Sequence, residues 1–140
     1  MAALWLFACC EGPAGRDGAE TFWFVKSYTI NTNQWQLVNG VDQIGSFYQA
    51  KISIPELDRE IYENGNVFCY MFVRVNNVEV QTPLPYSNHY GKVVGGSEEL
   101  WTETFSFDFY RGGITFNVTY SDFYTNNRPQ TITFRVVLNY

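Results

Sequence analysis

Hydrophobic and polar residues alternate along most of this chain, and the most regular alternation runs from Trp101 to Phe109. One face of this pattern is mostly aromatic, whereas every second position is threonine, serine or aspartate. A period of two predicts a β-strand with one buried face. Gly112-Gly113 follows, and the alternation resumes from Ile114 to Tyr120. Two such runs joined by a glycine turn predict a β-hairpin.

The same reasoning predicts further strands upstream and downstream of this hairpin. The segment 67–75 is apolar at both odd and even positions, which is typical of a central strand covered on both faces. The alternation of 132–138 predicts a closing strand. The remaining predicted strands are 22–30, 35–38, 48–54 and 78–80.

One segment, Pro55–Tyr62, breaks the alternation and predicts a helix. Proline stands near its start, acidic residues follow in the first turn, and Leu57 and Ile61 are four positions apart. Asn64-Gly65 then ends the helix. Many short strands and one helix predict an all-β fold, an antiparallel immunoglobulin-like β-sandwich with one short crossover helix.

The N-terminus carries a different signal. Leu6-Phe7-Ala8-Cys9 resembles the lipobox of bacterial lipoproteins, so we predict lipidation of Cys9, with Cys10 as the alternative site. The apolar run is shorter than an ordinary signal segment and has no basic residue before it. A buried N-terminal strand, or a sequence that begins downstream of the true start, are the alternatives. A membrane-spanning helix is excluded, because it needs about 20 apolar residues.

Glycine then recurs at every third position, at Gly12, Gly15 and Gly18. This is collagen spacing, but three triplets are too few to hold a triple helix. We therefore predict a flexible tether, with trimerisation through this segment as the alternative. The chain of 140 residues is thus divided into a lipoprotein signal at 1–9, a collagen-like tether at 10–20 and one sandwich domain at 21–140.

Composition narrows the range of partners. The net charge is −5, and lysine and arginine are scattered, so a phosphate backbone would be repelled and nucleic-acid binding is not expected. Aromatic residues make up 19% of the chain, enough to fill a sandwich core. Cys69 lies in an apolar run and is predicted to be a buried core thiol.

Residues suited to catalysis or metal binding do not form a recognisable pattern. His89 is the only histidine, and it stands in a predicted loop without a nucleophile or acid at a known spacing. Glu98-Glu99 and Asp58/Glu60 match neither calcium nor zinc spacings. We therefore expect no catalytic residues, no metal and no cofactor.

The aromatic surplus allows two interpretations. Aromatic side chains either fill the core or form an exposed platform on which sugar rings stack. The predicted loops 86–91 and 124–128 combine tyrosine with asparagine and other small polar residues, as binding loops do. The candidate ligand-binding residues are Trp23, Trp35, Tyr86, Tyr90 and Tyr124.

The order of these motifs resembles small lipoproteins of Bacteroidetes. The resemblance rests on the lipobox, the Gly-Pro spacer, Gly65–Tyr70, Leu84-Pro85-Tyr86, the hairpin through Gly113-Ile114, and Phe134–Leu138. It implies an immunoglobulin-like sandwich anchored by lipid in the cell envelope, at the outer membrane, and it implies no activity. We expect a non-catalytic module whose partners are the membrane, through its anchor, and another protein. Carbohydrate binding is the alternative.

Overall fold

A computed structural model describes residues 22–140. The predicted signal, the lipidation of Cys9 and the collagen-like tether lie outside the described residues. The described part of the chain holds nine strands, a 3-10 turn at Thr32–Gln34 and one short α-helix. The elements are β1 (Trp23–Ile30), β2 (Gln36–Val38), β3 (Phe47–Ser53), α1 (Arg59–Asn64), β4 (Asn66–Val75), β5 (Val78–Pro83), β6 (Tyr86–Val94), β7 (Ser97–Tyr110), β8 (Gly113–Tyr120) and β9 (Ile132–Asn139).

These strands form two antiparallel sheets. Sheet 1 has the order β1-β9-β4-β5, and sheet 2 has the order β2-β3-β8-β7-β6. The core lies between them, because alternate residues of β3, β4, β8 and β9 turn their apolar side chains towards the other sheet. This arrangement confirms the predicted all-β antiparallel sandwich.

Helix α1 connects β3 in sheet 2 to β4 in sheet 1, as a crossover does. Its first residue is Arg59, because Asp58 caps it: the Asp58 Oδ1 atom accepts a hydrogen bond of 3.0 Å from the Ile61 backbone N–H. Ile61 is buried, as is Leu57 just before the helix. The helix therefore starts later than the predicted segment Pro55–Tyr62, but the apolar pair that predicted it does face the core.

The centre of the core is aromatic. The rings of Phe116 and Phe134, one from each sheet, stack at a centroid distance of 4.0 Å, and Trp35 meets Phe134 edge-on at 6.2 Å. The other fully enclosed apolar side chains come from both sheets and the crossover segment. They are Ile54, Leu57, Ile114, Val118, Val136 and Leu138.

Two sequence predictions need correction. The predicted loop 86–91 is part of strand β6, which pairs with β7 from Tyr86↔Phe105 to Val94↔Ser97. Strand β6 was predicted as a loop because its residues are mostly polar. An edge strand beside solvent tolerates such residues of low β propensity. The hairpin closes through Gly95 and Gly96, both with positive φ, as a tight two-residue turn requires.

Strand β4 also differs from its prediction. It lies inside sheet 1, as predicted, but only one of its faces is covered in the described structure. Cys69 and Met71 are buried against sheet 2, whereas Phe68 on the opposite face is 46% exposed. Strand β4 thus has apolar residues on both faces although only one face is covered, because large apolar side chains also occur on protein surfaces.

Candidate ligand-binding groove

The inward face of strand β7 changes from core to surface along its length. Phe105 is buried, Glu103 and Trp101 are half-buried, and Glu99 is exposed. The register with β6 places a partner beside each of them. The pairs are Phe105↔Tyr86, Glu103↔Asn88, Trp101↔Tyr90 and Glu99↔Lys92. The inward face of the β6–β7 hairpin thus continues out of the core as an accessible surface.

A cavity of about 680 Å³ lies over this surface, and we call it the aromatic groove. Its floor is the β6–β7 hairpin with Tyr120 at the end of β8, and its wall is the segment connecting β8 to β9. Its lining residues are Tyr90, Lys92, Glu99, Trp101, Glu103, Tyr120, Asp122, Tyr124, Asn127, Arg128, Pro129 and Gln130.

Aromatic side chains give the groove its shape. The rings of Tyr90 and Trp101 stack across the two strands, with centroids 5.5 Å apart and planes 20° from parallel. Tyr90 is 41% exposed, and Tyr124 on the facing wall is 49% exposed. The Lys92 Nζ atom lies 5.9 Å from the Trp101 ring centroid and 2.9 Å from a Glu99 carboxylate oxygen. The groove therefore combines apolar ring surface with charged hydrogen-bonding groups at its rim.

The wall carrying Tyr124 is held in place by its neighbour Thr125. The Thr125 hydroxyl accepts a hydrogen bond of 2.9 Å from the Asp42 backbone N–H, and the Thr125 N–H donates to the Asp42 carboxylate at 2.7 Å. The Tyr48 hydroxyl donates to the Thr125 carbonyl at 2.6 Å. Because Thr125 is fully buried, these bonds fix the segment beside Tyr124 before any ligand arrives.

Glu103 is the partly buried carboxyl group of the groove. Burial raises the pKa of the Glu103 carboxyl, although the Tyr120 and Tyr90 hydroxyls interact with the carboxylate and favour its charged form. In turn, burial and then the Glu103 charge raise the pKa of the Tyr120 and Tyr90 hydroxyls. The tyrosines therefore stay protonated at neutral pH and present hydroxyl groups rather than charges.

A second cavity, of about 590 Å³, adjoins the aromatic groove, and we call it the inter-sheet cavity. It shares Tyr90 and Glu103 with the groove and continues towards sheet 1. Sheet 1 contributes residues from β4, β5 and the start of β9. They are Met71, Phe72, Val73, Arg74, Glu79, Ile132 and Thr133, with Thr131 just before β9.

The five residues predicted to contact a ligand are separated in the structure. Tyr90 and Tyr124 both line the aromatic groove. Tyr86 is half-buried against the core, and its hydroxyl donates to the Asn88 side chain. Trp35 is buried, and its Nε1 donates to the Gln130 carbonyl at 3.2 Å, so it supports the wall from inside. Trp23 is 61% exposed on β1, in the other sheet.

Sequence reasoning missed Trp101, Glu103 and Tyr120 as groove residues, because Trp101 and Tyr120 were placed on buried strand faces. One signal was available. Glu103 stands on the same face of the alternation as Trp101 and Phe105, and an acidic residue on a buried face usually has polar partners or marks the edge of the core.

Within 22–140, no three histidine, cysteine, aspartate or glutamate side chains come together as metal ligands would. None of the helices described there has the length and apolar character needed to span a bilayer. Comparison of the chain with known protein families, curated proteins and solved structures finds no match.

Proposed function

We propose that this protein is a non-catalytic binding module that holds carbohydrate in the aromatic groove. The observation that carries the proposal is the meeting of Tyr90, Trp101 and Tyr124 at one accessible cavity. Sequence analysis favoured a protein partner, with carbohydrate as the alternative. Because two of the five candidate aromatic residues line the groove together, we now favour carbohydrate over a protein partner.

The chemistry of the groove suits a sugar. Ligand sites are concave, with apolar and aromatic walls and a few placed polar groups. A sugar ring has an apolar C–H face, which can pack on the rings of Trp101 and Tyr124. Its hydroxyl groups can donate to the Glu103 carboxylate and to the Tyr120 hydroxyl oxygen, both at the groove floor.

The acidic groups support binding rather than hydrolysis. Glycosidases use two carboxyl groups that face each other across the scissile bond. Here Glu103 interacts with two tyrosine hydroxyls, and Glu99 is paired with Lys92. The third carboxylate, Asp122, accepts a hydrogen bond from the Tyr124 backbone N–H. A bound oligosaccharide should therefore be recovered intact after prolonged incubation with the protein, as chromatography can establish. Release of shorter products would overturn the non-catalytic assignment.

Binding is measured by calorimetry against a panel of soluble polysaccharides. Tyr124→Ala and Trp101→Ala should each weaken binding about tenfold or more, which corresponds to about 1.4 kcal/mol. The matched control is Trp23→Ala, which removes an exposed tryptophan from the other sheet and should leave affinity unchanged. Equal affinity of Tyr124→Ala and the unaltered protein would contradict the assignment of the groove, and binding to no member of the panel would contradict carbohydrate recognition itself.

We further propose that the protein works at the cell envelope, anchored by lipid at Cys9. The proposal is supported by the lipobox-like Leu6-Phe7-Ala8-Cys9 and the glycine-rich segment after it. An acylated cysteine contributes more than one chain, as stable anchoring requires. Mass spectrometry of the native N-terminus should find acylated Cys9. Acylation at Cys10 would move the site, and an unmodified protein beginning at Met1 would overturn the proposal.

A protein partner remains the second candidate, favoured by a specific feature of the hairpin tip. Val93 and Leu100 are mostly exposed there, on the face opposite the groove. The Leu100 side chain lies against the backbone of Gly91. A Cβ atom added to Gly91 would be only 2.8 Å from the Leu100 Cδ2 atom. If this surface binds protein, Leu100→Ser should abolish a crosslinked complex in cells and leave carbohydrate affinity intact. An unchanged complex would rule the tip out.

A further inference from the structure

We infer that the ligand is an uncharged, extended oligosaccharide that occupies both the aromatic groove and the inter-sheet cavity. This inference rests on the proposed function. The two cavities, of about 680 and about 590 Å³, are adjacent because Tyr90 and Glu103 line both. A ligand that contacts Tyr90 can therefore extend into either cavity.

The strand register explains why the sandwich opens at this point. Strand β9 pairs with β4 only from Asn66↔Asn139 to Met71↔Phe134, so the end of β4 continues without β9 beside it. On the other side, the β6–β7 hairpin extends outwards from the core. Strands β4 and β9 of sheet 1 therefore part beyond Met71 and Phe134, and the inter-sheet cavity lies at that gap, with Phe105 and Glu103 of sheet 2 also lining it.

The lining of the inter-sheet cavity suits a second stretch of sugar. Arg74 and Glu79 are exposed register partners on β4 and β5, on the same face of sheet 1 as Phe68, and they line the cavity where it opens on that face, with a charged donor and a charged acceptor. Thr131 and Thr133 add hydroxyl groups, which donate or accept. Val73 and Ile132 supply apolar surface between these polar groups.

The charges argue for an uncharged chain. In the aromatic groove, Lys92 and Arg128 are offset by Glu99, Glu103 and Asp122, and in the inter-sheet cavity Arg74 is offset by Glu79. Neither cavity presents the excess of positive charge that an acidic polysaccharide needs. Mixed charges instead supply many donors and acceptors for neutral hydroxyl groups.

Glu103 lies where the two halves of the ligand would join. Its carboxylate accepts hydrogen bonds only, and bonds to an ionised acceptor are stronger than neutral ones. A sugar unit at the junction can donate hydroxyl groups to it from either cavity. The structure therefore makes affinity depend on chain length, because short ligands fill the aromatic groove and longer ones also reach Arg74.

The test is calorimetry with a series of neutral oligosaccharides, from one to six units, prepared from the polysaccharide that binds in the panel. Affinity should rise with length by about tenfold or more between two and six units. Arg74→Ala should weaken six-unit binding and leave two-unit binding unchanged, whereas Tyr124→Ala should weaken both. Arg111→Ala is the matched control, since Arg111 lies in the turn at the other end of β7. Circular dichroism melts check that each variant is folded.

The outcomes separate this inference from the proposed function. If two-unit and six-unit ligands bind alike, or if Arg74→Ala weakens both equally, the extended-ligand inference is wrong while carbohydrate binding stands. Tighter binding of an acidic oligosaccharide than of its neutral counterpart would overturn the uncharged assignment. If no saccharide binds, the proposed function fails and this inference fails with it.

Discussion

Replacing Phe134 by alanine removes the ring at the centre of the sandwich. Phe134 is 1% exposed on β9 in sheet 1, and its ring stacks on Phe116 of sheet 2, with centroids 4.0 Å apart and planes 10° from parallel. Its other neighbour is Trp35, whose ring meets it at 76°. One substitution thus removes contacts with both of these side chains.

The expected loss of stability follows from these contacts. Full burial of a phenylalanine side chain stabilises the folded state by about 1.5–3 kcal/mol relative to leaving it in water. Each favourable aromatic pair adds about 0.5–1.5 kcal/mol beyond the buried area. A loss of about 3–5 kcal/mol in the free energy of unfolding is therefore expected, in line with other phenylalanine-to-alanine changes in packed cores. This loss is a large part of the total free energy of unfolding of a typical domain, which is about 5–15 kcal/mol.

Urea unfolding followed by circular dichroism measures this loss. The matched control is Phe68→Ala, which deletes the same ring from β4 where it is 46% exposed, and it should cost much less. Similar slopes of the two transitions would show that the unfolded states are comparable. A loss below about 1 kcal/mol for Phe134→Ala would refute the assignment of this face to the core.

Two further predictions use the titratable groups. Because the pKa of Glu103 is raised above its ordinary value of 4.5, its contribution to stability is fully present below that value and is lost as the pH rises through the folded-state pKa. Glu103→Gln should therefore raise the urea midpoint at about pH 8 and lose this advantage near about pH 4; exposed Glu98→Gln is the control, and a pH-independent difference would contradict the reasoning. Burial raises the pKa of the Cys69 thiol to about 12, so a Cys9→Ser/Cys10→Ser variant should resist iodoacetamide at about pH 8 until urea unfolds it. Rapid alkylation of the folded variant would show that Cys69 is accessible.

The alternation of side chains was sufficient to predict most of the sheet structure. A period of two is a local property of the strand itself, so β7, β8 and β9 could be recognised without knowing their partners. The helix was predicted from the spacing of Leu57 and Ile61, but only Ile61 lies in α1, because the Asp58 cap starts the helix at Arg59. Strand β6 escaped recognition because its polar residues have weak β propensity, and its pairing with β7 outweighs that preference.

The candidate site depended on tertiary structure. Tyr90 and Tyr124 could be named from the sequence as aromatics in polar surroundings, but nothing local distinguished them from Trp35, which is buried, or Trp23, which lies on the other sheet. Only the β6–β7 register brings Tyr90 to Trp101.

The wall of the groove also depends on tertiary structure. The hydrogen bonds that Thr125 makes with Asp42 and Tyr48 hold the segment next to Tyr124, although these residues are far apart along the chain. The sequence by itself determined most of the strands and most of the faces they bury, β6 and the outer face of β4 excepted, because those follow from short-range periodicity. Tertiary structure decided which exposed aromatics share a cavity, because that depends on how distant strands pair and where their connections pack.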